Sequence, residues 1–156
     1  MNIAIVGATG NVGRKTLEVL EKKELSISNL YLVASSKSVG KKISFRGKDH
    51  EIFDLESFDF AKVKIAFFAA GGKISEKFAQ KAAKHCLVID NSSFYRMDPD
   101  VPLIVPQVNS NHLNQIKKNI IANPNCSTAQ LVIALKPLHD LFVIKRIVVS
   151  TYQSVS

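Results

Sequence analysis

The chain has 156 residues and is 46% hydrophobic, which is enough for one globular domain with a buried core. Its net charge is +8, but the lysines are scattered, which favours a solvated surface or an anionic small-molecule ligand over nucleic acid. No apolar run approaches the roughly 20 residues of a membrane span, and no basic segment precedes the first apolar stretch as in a signal peptide. The chain has two cysteines, Cys86 and Cys126, which lie far apart in the sequence and do not have the spacing of metal ligands. So few cysteines are typical of a reducing compartment, and we expect a cytoplasmic protein.

The chain opens with an apolar run, a glycine turn and a helical pattern. Val12, Thr16, Val19 and Leu20 share one face, which predicts a helix over about residues 11–23. Further strands are predicted in NLYLVASS, KIAFFAA, CLVIDNSS and NIIANPN, with a hairpin turning at residues 46–49. Helices are predicted around residues 75–84 and 127–141, and the final stretch IKRIVVSTYQSVS is predicted as a strand. This alternation predicts an α/β fold, a Rossmann-like doubly wound, mostly parallel sheet with helices on both faces.

The first glycine turn has the spacing of a dinucleotide-binding motif. Gly7 permits the tight turn, Gly10 lets backbone amides approach a pyrophosphate, and Gly13 lets the helix pack closely on the strand. The helix N-terminus then offers unpaired N–H groups and a partial positive charge to the anion. The alternative is an ordinary glycine-rich turn between a strand and a helix.

The second strand ends without an acidic residue. An NAD site commonly has Asp or Glu there, to accept hydrogen bonds from the ribose 2′-hydroxyl. Here the stretch ASSKSVGKK offers Ser35, Lys37 and Ser38, whose hydroxyls and ammonium group suit a 2′-phosphate. We therefore predict NADP as the cofactor; a plain polar loop is the alternative.

Cys126 lies between an Asn-Pro-Asn turn and an apolar helical run, in IIANPNCSTAQLVIAL. Ser127 and Thr128 are good first-turn residues, so the thiol is placed at a helix N-terminus. There the helix dipole and the free amides stabilise a thiolate and can hold an oxyanion on a substrate carbonyl. A buried structural cysteine is the alternative. Because buried cysteines rarely follow such a turn, we predict that Cys126 is a nucleophile and that Cys86 belongs to the core.

Five stretches together carry a family resemblance. VGATGNVG, ASSKSVGKK, VIDNSSFYRMDPDVPLIVPQVN, ANPNCSTAQLVIAL and VVSTYQSVS resemble, in this order, the aspartate-semialdehyde dehydrogenases. The resemblance spans the whole chain, and NPNCST together with DNSSFYR is specific to that family. It implies the reversible conversion of aspartate β-semialdehyde, phosphate and NADP to β-aspartyl phosphate and NADPH, on the route from aspartate to lysine, threonine and methionine.

The resemblance also implies roles for single residues, and Thr9, Asn11 and Val12 match cofactor contacts of the family. Cys126 matches the nucleophile that forms the acyl thioester, and Gln153 matches a residue that contacts substrate near the thiol. Arg96 matches a guanidinium that binds phosphate, and Asn91 lies in the same loop and is expected to bind substrate. Alternatively, Arg96 pairs with Asp98 or Asp100 on the surface, and Gln153 is a strand residue satisfied by backbone.

Part of the family's machinery has no match in these residues. The family uses a histidine as general acid/base, and we do not expect any of the four histidines here to replace it. His139 lies about 20 Å along the predicted helix from Cys126. We interpret His50, His85 and His112 as solvated or satisfied side chains. We therefore expect residues 1–156 to be the NADP-binding domain that carries the nucleophile, without a C-terminal catalytic and dimerisation domain, and the chain alone to be inactive. The resemblance implies a homodimeric parent enzyme. A stand-alone NADP-binding or sensing module is the alternative.

Overall fold

One sheet organises residues 1–153, the part of the chain that this computed structural model describes. Its order is β3-β4-β2-β1-β5-β6-β7, with β3 antiparallel to β4 and every other neighbouring pair parallel. The strands are β1 (Asn2–Val6), β2 (Asn29–Ala34), β3 (Lys42–Phe45), β4 (Lys48–Asp54), β5 (Ile65–Phe68), β6 (Leu87–Asp90) and β7 (Ile120–Ala122).

The β3–β4 hairpin extends the sheet at one edge. Its turn is Arg46-Gly47, and both residues have positive φ angles, 50° and 73°, as in the two-residue turns whose twist matches that of a hairpin. Residue Ala34 of β2 is in register with Asp54 of β4. The hairpin thus replaces the crossover helix that joins two parallel strands in most doubly wound sheets.

Helices cover both faces of the sheet, which confirms the predicted fold class. The helices are α1 (Asn11–Lys22), α2 (Gly72–Ala83), α3 (Pro106–Asn109) and α4 (Cys126–Phe142). Ile3 and Ile5 of β1 belong to the core cluster that contains Leu17 and Leu20 of α1. The alternating β1 residues Ala4 and Val6 belong to the opposite cluster, which contains Phe78, Ala79, Ala82 and Ala83 of α2. In the described residues, no helix is both long enough and apolar enough to cross a membrane.

Two details of the sequence prediction are wrong. Val12 and Val19 are exposed, at 52% and 46%, whereas Leu20 is buried as predicted, together with Gly13 and Leu17. The close approach of Gly13 to the first turn directs the face that carries Gly13, Leu17 and Leu20 toward the sheet, and Val12 and Val19 lie outside this face. Residues 144–153 form no strand, because no described strand runs beside them to share backbone hydrogen bonds. Residues 154–156 of the predicted strand lie outside the described part.

Candidate active site

A cleft opens at the carboxyl ends of β1, β2, β4 and β5. Its volume is about 500 Å³, and the residues that line it include Gly7, Thr9, Gly10, Ser35, Asp54 and Ala69. The chain runs from β1 toward β4 on one side and then returns to β5 on the other, so β1 and β5 flank the topological switch point. Ligands of open α/β sheets bind in the crevice at this point.

The glycine turn between β1 and α1 is shaped for close approach. Gly7 has a φ of 85°, and a Cβ there would lie 2.8 Å from the carbonyl carbon and oxygen of Ala69. A Cβ on Gly13 would lie 2.2 Å from the carbonyl oxygen of Gly7. Both contacts are shorter than real Cβ atoms tolerate, so glycine is required at both positions. The turn leaves open the space in which a pyrophosphate would approach the amides at the start of α1.

The segment after β2 reaches the cleft only in part. Ser35 and Ser36 line the cleft. Lys37 and Ser38 are the next two residues of the short 3-10 helix Ser36–Ser38 and are not among the lining residues. Two carboxylates that the sequence analysis did not consider, Asp54 and Glu56, also line the cleft. Asp54 ends the strand paired with β2, and this pairing of distant segments is invisible in a local sequence pattern. Glu56 accepts a hydrogen bond of 2.6 Å from Lys77.

Cys126 is the first residue of α4, and its thiol is exposed. Asn125 caps the helix, since its side-chain oxygen accepts hydrogen bonds from the backbone N–H of Ser127 at 3.0 Å and from its hydroxyl at 2.6 Å. The Nε2 of Gln153 lies 3.7 Å from the Cys126 Sγ, and the Nδ2 of Asn125 donates to the Gln153 Oε1 at 3.3 Å. The structure thus brings two predicted site residues, Cys126 and Gln153, together and adds Asn125, which the sequence analysis did not single out.

Arg96 is bound to main-chain carbonyls rather than to carboxylates. Its Nε donates to the carbonyl oxygen of Asn123 at 3.0 Å, and its Nη2 donates to that of Asn91 at 3.1 Å. The alternative of a surface pair with Asp98 or Asp100 is wrong, because these carboxylates accept hydrogen bonds from Lys118 and Lys117. The predicted residues Arg96 and Asn91 therefore meet beside the segment that leads to Cys126.

Asp90 anchors the loop that carries Arg96, and the sequence analysis did not single it out. The residue is fully buried at the end of β6. Its carboxylate accepts hydrogen bonds from the hydroxyls of Ser75 and Ser92, at 2.6 and 2.7 Å, and from the Ser92 N–H at 3.1 Å. Ser92 in turn accepts a bond of 3.1 Å from the N–H of Phe94. An acid at a strand end, followed two residues later by serine, was the available signal.

The second cysteine has a different environment. Cys86 is 6% exposed, and its thiol lies 3.3 Å from the carbonyl oxygen of Ala82. Burial raises the pKa of the Cys86 thiol to about 11, so the thiolate is disfavoured. This confirms that Cys86 belongs to the core.

The histidines do not approach the exposed cysteine. Within residues 1–153, none of the four histidines lies within hydrogen-bonding distance of the Cys126 thiol, and His139 lies near the far end of α4. The described residues contain no group of three or more His, Cys, Asp or Glu side chains that could hold a metal ion.

The sheet order, the glycine turn and the cleft define a doubly wound domain of the dinucleotide-binding class. Residues 2–116 match the family model described as semialdehyde dehydrogenase, NAD binding domain, and the chain belongs to this family. The cofactor of the matched region is a nicotinamide dinucleotide. The match ends at residue 116, before Cys126.

Known relatives extend the likeness over the rest of the chain. The aspartate-semialdehyde dehydrogenase of Legionella pneumophila is 52% identical over 158 residues, an alignment that includes 100% of this chain and 46% of the relative. A crystal structure of aspartate semialdehyde dehydrogenase II from Vibrio cholerae complexed with ASA has a TM-score of 0.87 and 49% identity, over 89% of this chain and 46% of that one. The enzyme from Candida albicans, solved with NADP, has a TM-score of 0.75 and 30% identity, over 91% of this chain and 48% of that one. The chain thus spans about half the length of the curated relatives it matches.

Proposed function

We propose that this chain is the NADP-binding, cysteine-bearing part of an aspartate-semialdehyde dehydrogenase. The observation that carries the proposal is the placement of Cys126 at the first position of α4 with the Gln153 amide 3.7 Å from its sulfur. The proposed substrates are aspartate β-semialdehyde, which the relatives' name contains, and phosphate, which the family resemblance implies. The supporting likeness is 52% identity to such an enzyme over the full chain.

The cofactor proposed is NADP. The turn Gly7–Gly13 would hold the pyrophosphate at the start of α1. Glycine is needed at Gly7 and Gly13 for the turn to pack this closely, because a side chain at either position would collide with backbone. Ser35, Lys37 and Ser38 would bind the 2′-phosphate through hydroxyl and ammonium donors, and Thr9, Asn11 and Val12 would contribute the amides at the start of α1. When bound, NADP would supply the hydride acceptor for oxidation of the substrate carbon.

The chemistry of the chain's own residues centres on Cys126. Its thiolate attacks the aldehyde carbon, and the amides at the start of α4 hold the oxyanion that forms. Gln153 directs its Nε2 donor at the sulfur and orients the substrate beside it. Loss of hydride leaves a thioester on Cys126, which phosphate then attacks, and the C–S bond breaks to release β-aspartyl phosphate and the thiolate. Arg96, with Asn91 beside it, binds the incoming phosphate.

We further propose that a second domain supplies the general acid/base and the dimer interface of a homodimeric cytoplasmic enzyme. The proposal is supported by the absence of a histidine near Cys126 in the described residues and by relatives about twice as long as this chain. Without that domain, residues 1–156 should bind NADP and show no phosphate-dependent NADP reduction.

The test is the half-reaction that needs neither cofactor nor general base. The chain is mixed with β-aspartyl phosphate generated in situ, and mass spectrometry follows acylation of Cys126 and release of phosphate. We expect the aspartyl mass on the peptide that contains Cys126, and none in Cys126→Ser. Binding of NADP without acylation would instead favour the stand-alone sensing module.

A further inference from the structure

Asn123 joins the loop after β6 to the segment that precedes Cys126. Its N–H donates to the carbonyl oxygen of Asp90 at 2.8 Å, and its side-chain Nδ2 donates to the Oδ1 of Asn91 at 2.8 Å. Its own carbonyl oxygen accepts the Nε–H of Arg96 at 3.0 Å. The three hydrogen bonds therefore lead to the last residue of β6 and to the loop that follows it, and one of them comes from the guanidinium proposed to bind phosphate.

The connection from Asn123 to the thiol is short and stiff. Only Pro124 and Asn125 separate Asn123 from Cys126, and the ring of Pro124 fixes its φ angle. Asn125 is held as the cap of α4 by its bonds to Ser127. A displacement of Asn123 is consequently transmitted to the start of α4, because little of the intervening backbone is free to absorb it.

Arg96 is held by one edge of its guanidinium. Its Nε and one N–H of Nη2 are engaged by the two carbonyls, and Nη1 has no hydrogen-bond partner among residues 1–153. The Nη1–Nη2 edge therefore keeps two parallel donors for a tetrahedral anion. The two carbonyl contacts determine the direction of this edge.

We propose that Asn123 is a positioning residue that couples the Arg96 guanidinium to the Cys126 thiol. Phosphate bound to Arg96 then changes the reactivity of Cys126 through the Asn123 contacts. This inference rests on the proposed phosphate-binding role of Arg96, and it adds a residue whose side chain touches neither the thiol nor the proposed cofactor cleft.

The experiment measures the alkylation rate of Cys126 by neutral iodoacetamide at increasing concentrations of inorganic phosphate, with peptide mass spectrometry to separate Cys126 from Cys86. In the wild-type chain, we expect the alkylation rate of Cys126 to change as phosphate is added and to reach a plateau at high phosphate concentration. In Asn123→Ala, the side-chain bond to Asn91 is lost while the main-chain bond to Arg96 can still form. The half-saturating phosphate concentration should therefore rise about 3- to 10-fold, as expected for one lost hydrogen bond. In the double variant with Arg96→Ala, phosphate should have no effect, as in Arg96→Ala alone.

Asn2 provides a matched control at the amino end of the central strand β1, whereas Asn123 follows the carboxyl end of β7. Its Nδ2 donates to the Lys62 carbonyl at 2.9 Å, and its Oδ1 accepts from Asn29 at 3.0 Å. Asn2→Ala should lower the melting temperature much as Asn123→Ala does while leaving the phosphate response at its wild-type value. If Asn123→Ala does not fold, Asn123→Asp keeps the volume and replaces the Nδ2 donor by an acceptor that faces the Asn91 oxygen.

The outcomes separate the inference from the proposed function. No phosphate effect in the wild-type chain would overturn the role of Arg96 and the inference with it. An effect that is lost in Arg96→Ala but unchanged in Asn123→Ala and Asn123→Asp would overturn the inference alone.

Discussion

Gly13 and Gly7 are in contact across the first turn of α1, where a Cβ on Gly13 would lie 2.2 Å from the Gly7 carbonyl oxygen. In Gly13→Ala, the helix must therefore move away from the turn. We expect a loss of about 1–3 kcal/mol in the free energy of unfolding, as for other overpacked sites, and at least tenfold weaker NADP binding. Urea unfolding and isothermal titration calorimetry measure the two effects.

Gly72 is the control for this substitution. It is the first residue of α2, and a Cβ there would lie 4.0 Å from its nearest neighbour, the Cβ of Phe94. Gly72→Ala should leave NADP binding unchanged and raise the stability by up to about 1 kcal/mol, because alanine restricts the unfolded chain more than glycine does. Equal NADP affinity in Gly13→Ala and Gly72→Ala would contradict the predicted site.

Lys37 should control the preference for NADP over NAD. In Lys37→Gln, we expect about tenfold weaker NADP binding and unchanged NAD binding, because one charge-assisted contact to the 2′-phosphate is lost. Lys41→Gln, four residues further along, removes a charge from the same region and should change neither affinity. Titrations of both cofactors against the three proteins measure the ratio. Equal affinity of the wild-type chain for NAD and NADP would contradict the prediction.

The two cysteines should react at very different rates. Cys126 is exposed, whereas burial raises the pKa of the Cys86 thiol to about 11. At pH 8, iodoacetamide should modify Cys126 in the folded chain and leave Cys86 unmodified until urea unfolds the protein. Because burial favours the neutral Cys86 thiol, this contribution to stability is present below about pH 9 and is lost as the pH rises through about 11. Peptide mapping after timed alkylation provides the measurement, and equal labelling of both cysteines would show the assignment to be wrong.

The sequence predicted those parts of the fold and site that depend on local chemistry. The three glycines between an apolar run and a helix indicate the first turn, because each has a steric reason within the motif. Cys126 could be placed at a helix start because the first-turn residues Ser127 and Thr128 are its neighbours in the chain. The strand-helix alternation then limits the sheet to a few right-handed arrangements.

The parts that the sequence missed depend on contacts between distant segments. Asp54 reaches the cleft because β4 pairs with β2 in register with Ala34, which no local pattern specifies. Asn123 meets Arg96 only because β7 lies beside β6 and places their carboxyl ends together. Val12 and Val19 were wrongly assigned to the buried face of α1, because the contact of Gly13 with the first turn directs the face with Leu17 and Leu20 toward the sheet.

The decrease in the free energy of unfolding at acidic pH should depend on Asp98, which lies two residues after Arg96. The N–H of Asp100 and then the ammonium group of Lys118 hold the pKa of the Asp98 carboxyl below its ordinary value of 3.8. Since the pKa is lowered on folding, the stabilisation is present above about pH 4 and is lost as the pH falls through the folded-state pKa. Asp98→Asn should thus lower the free energy of unfolding at pH 7 by about 0.5–1 kcal/mol and flatten its decline toward pH 3.

Asp49 is the control for this pH dependence, because its side chain lies on the exposed β3–β4 hairpin and makes no hydrogen bond within residues 1–153. Asp49→Asn should keep the wild-type slope between pH 6 and pH 3, measured by urea unfolding at each pH. Identical slopes in Asp98→Asn and the wild-type chain would show that the Asp98 contacts do not stabilise the folded state. In that case, the loop that carries Arg96 would depend on the buried Asp90 bonds to Ser75 and Ser92 for its position.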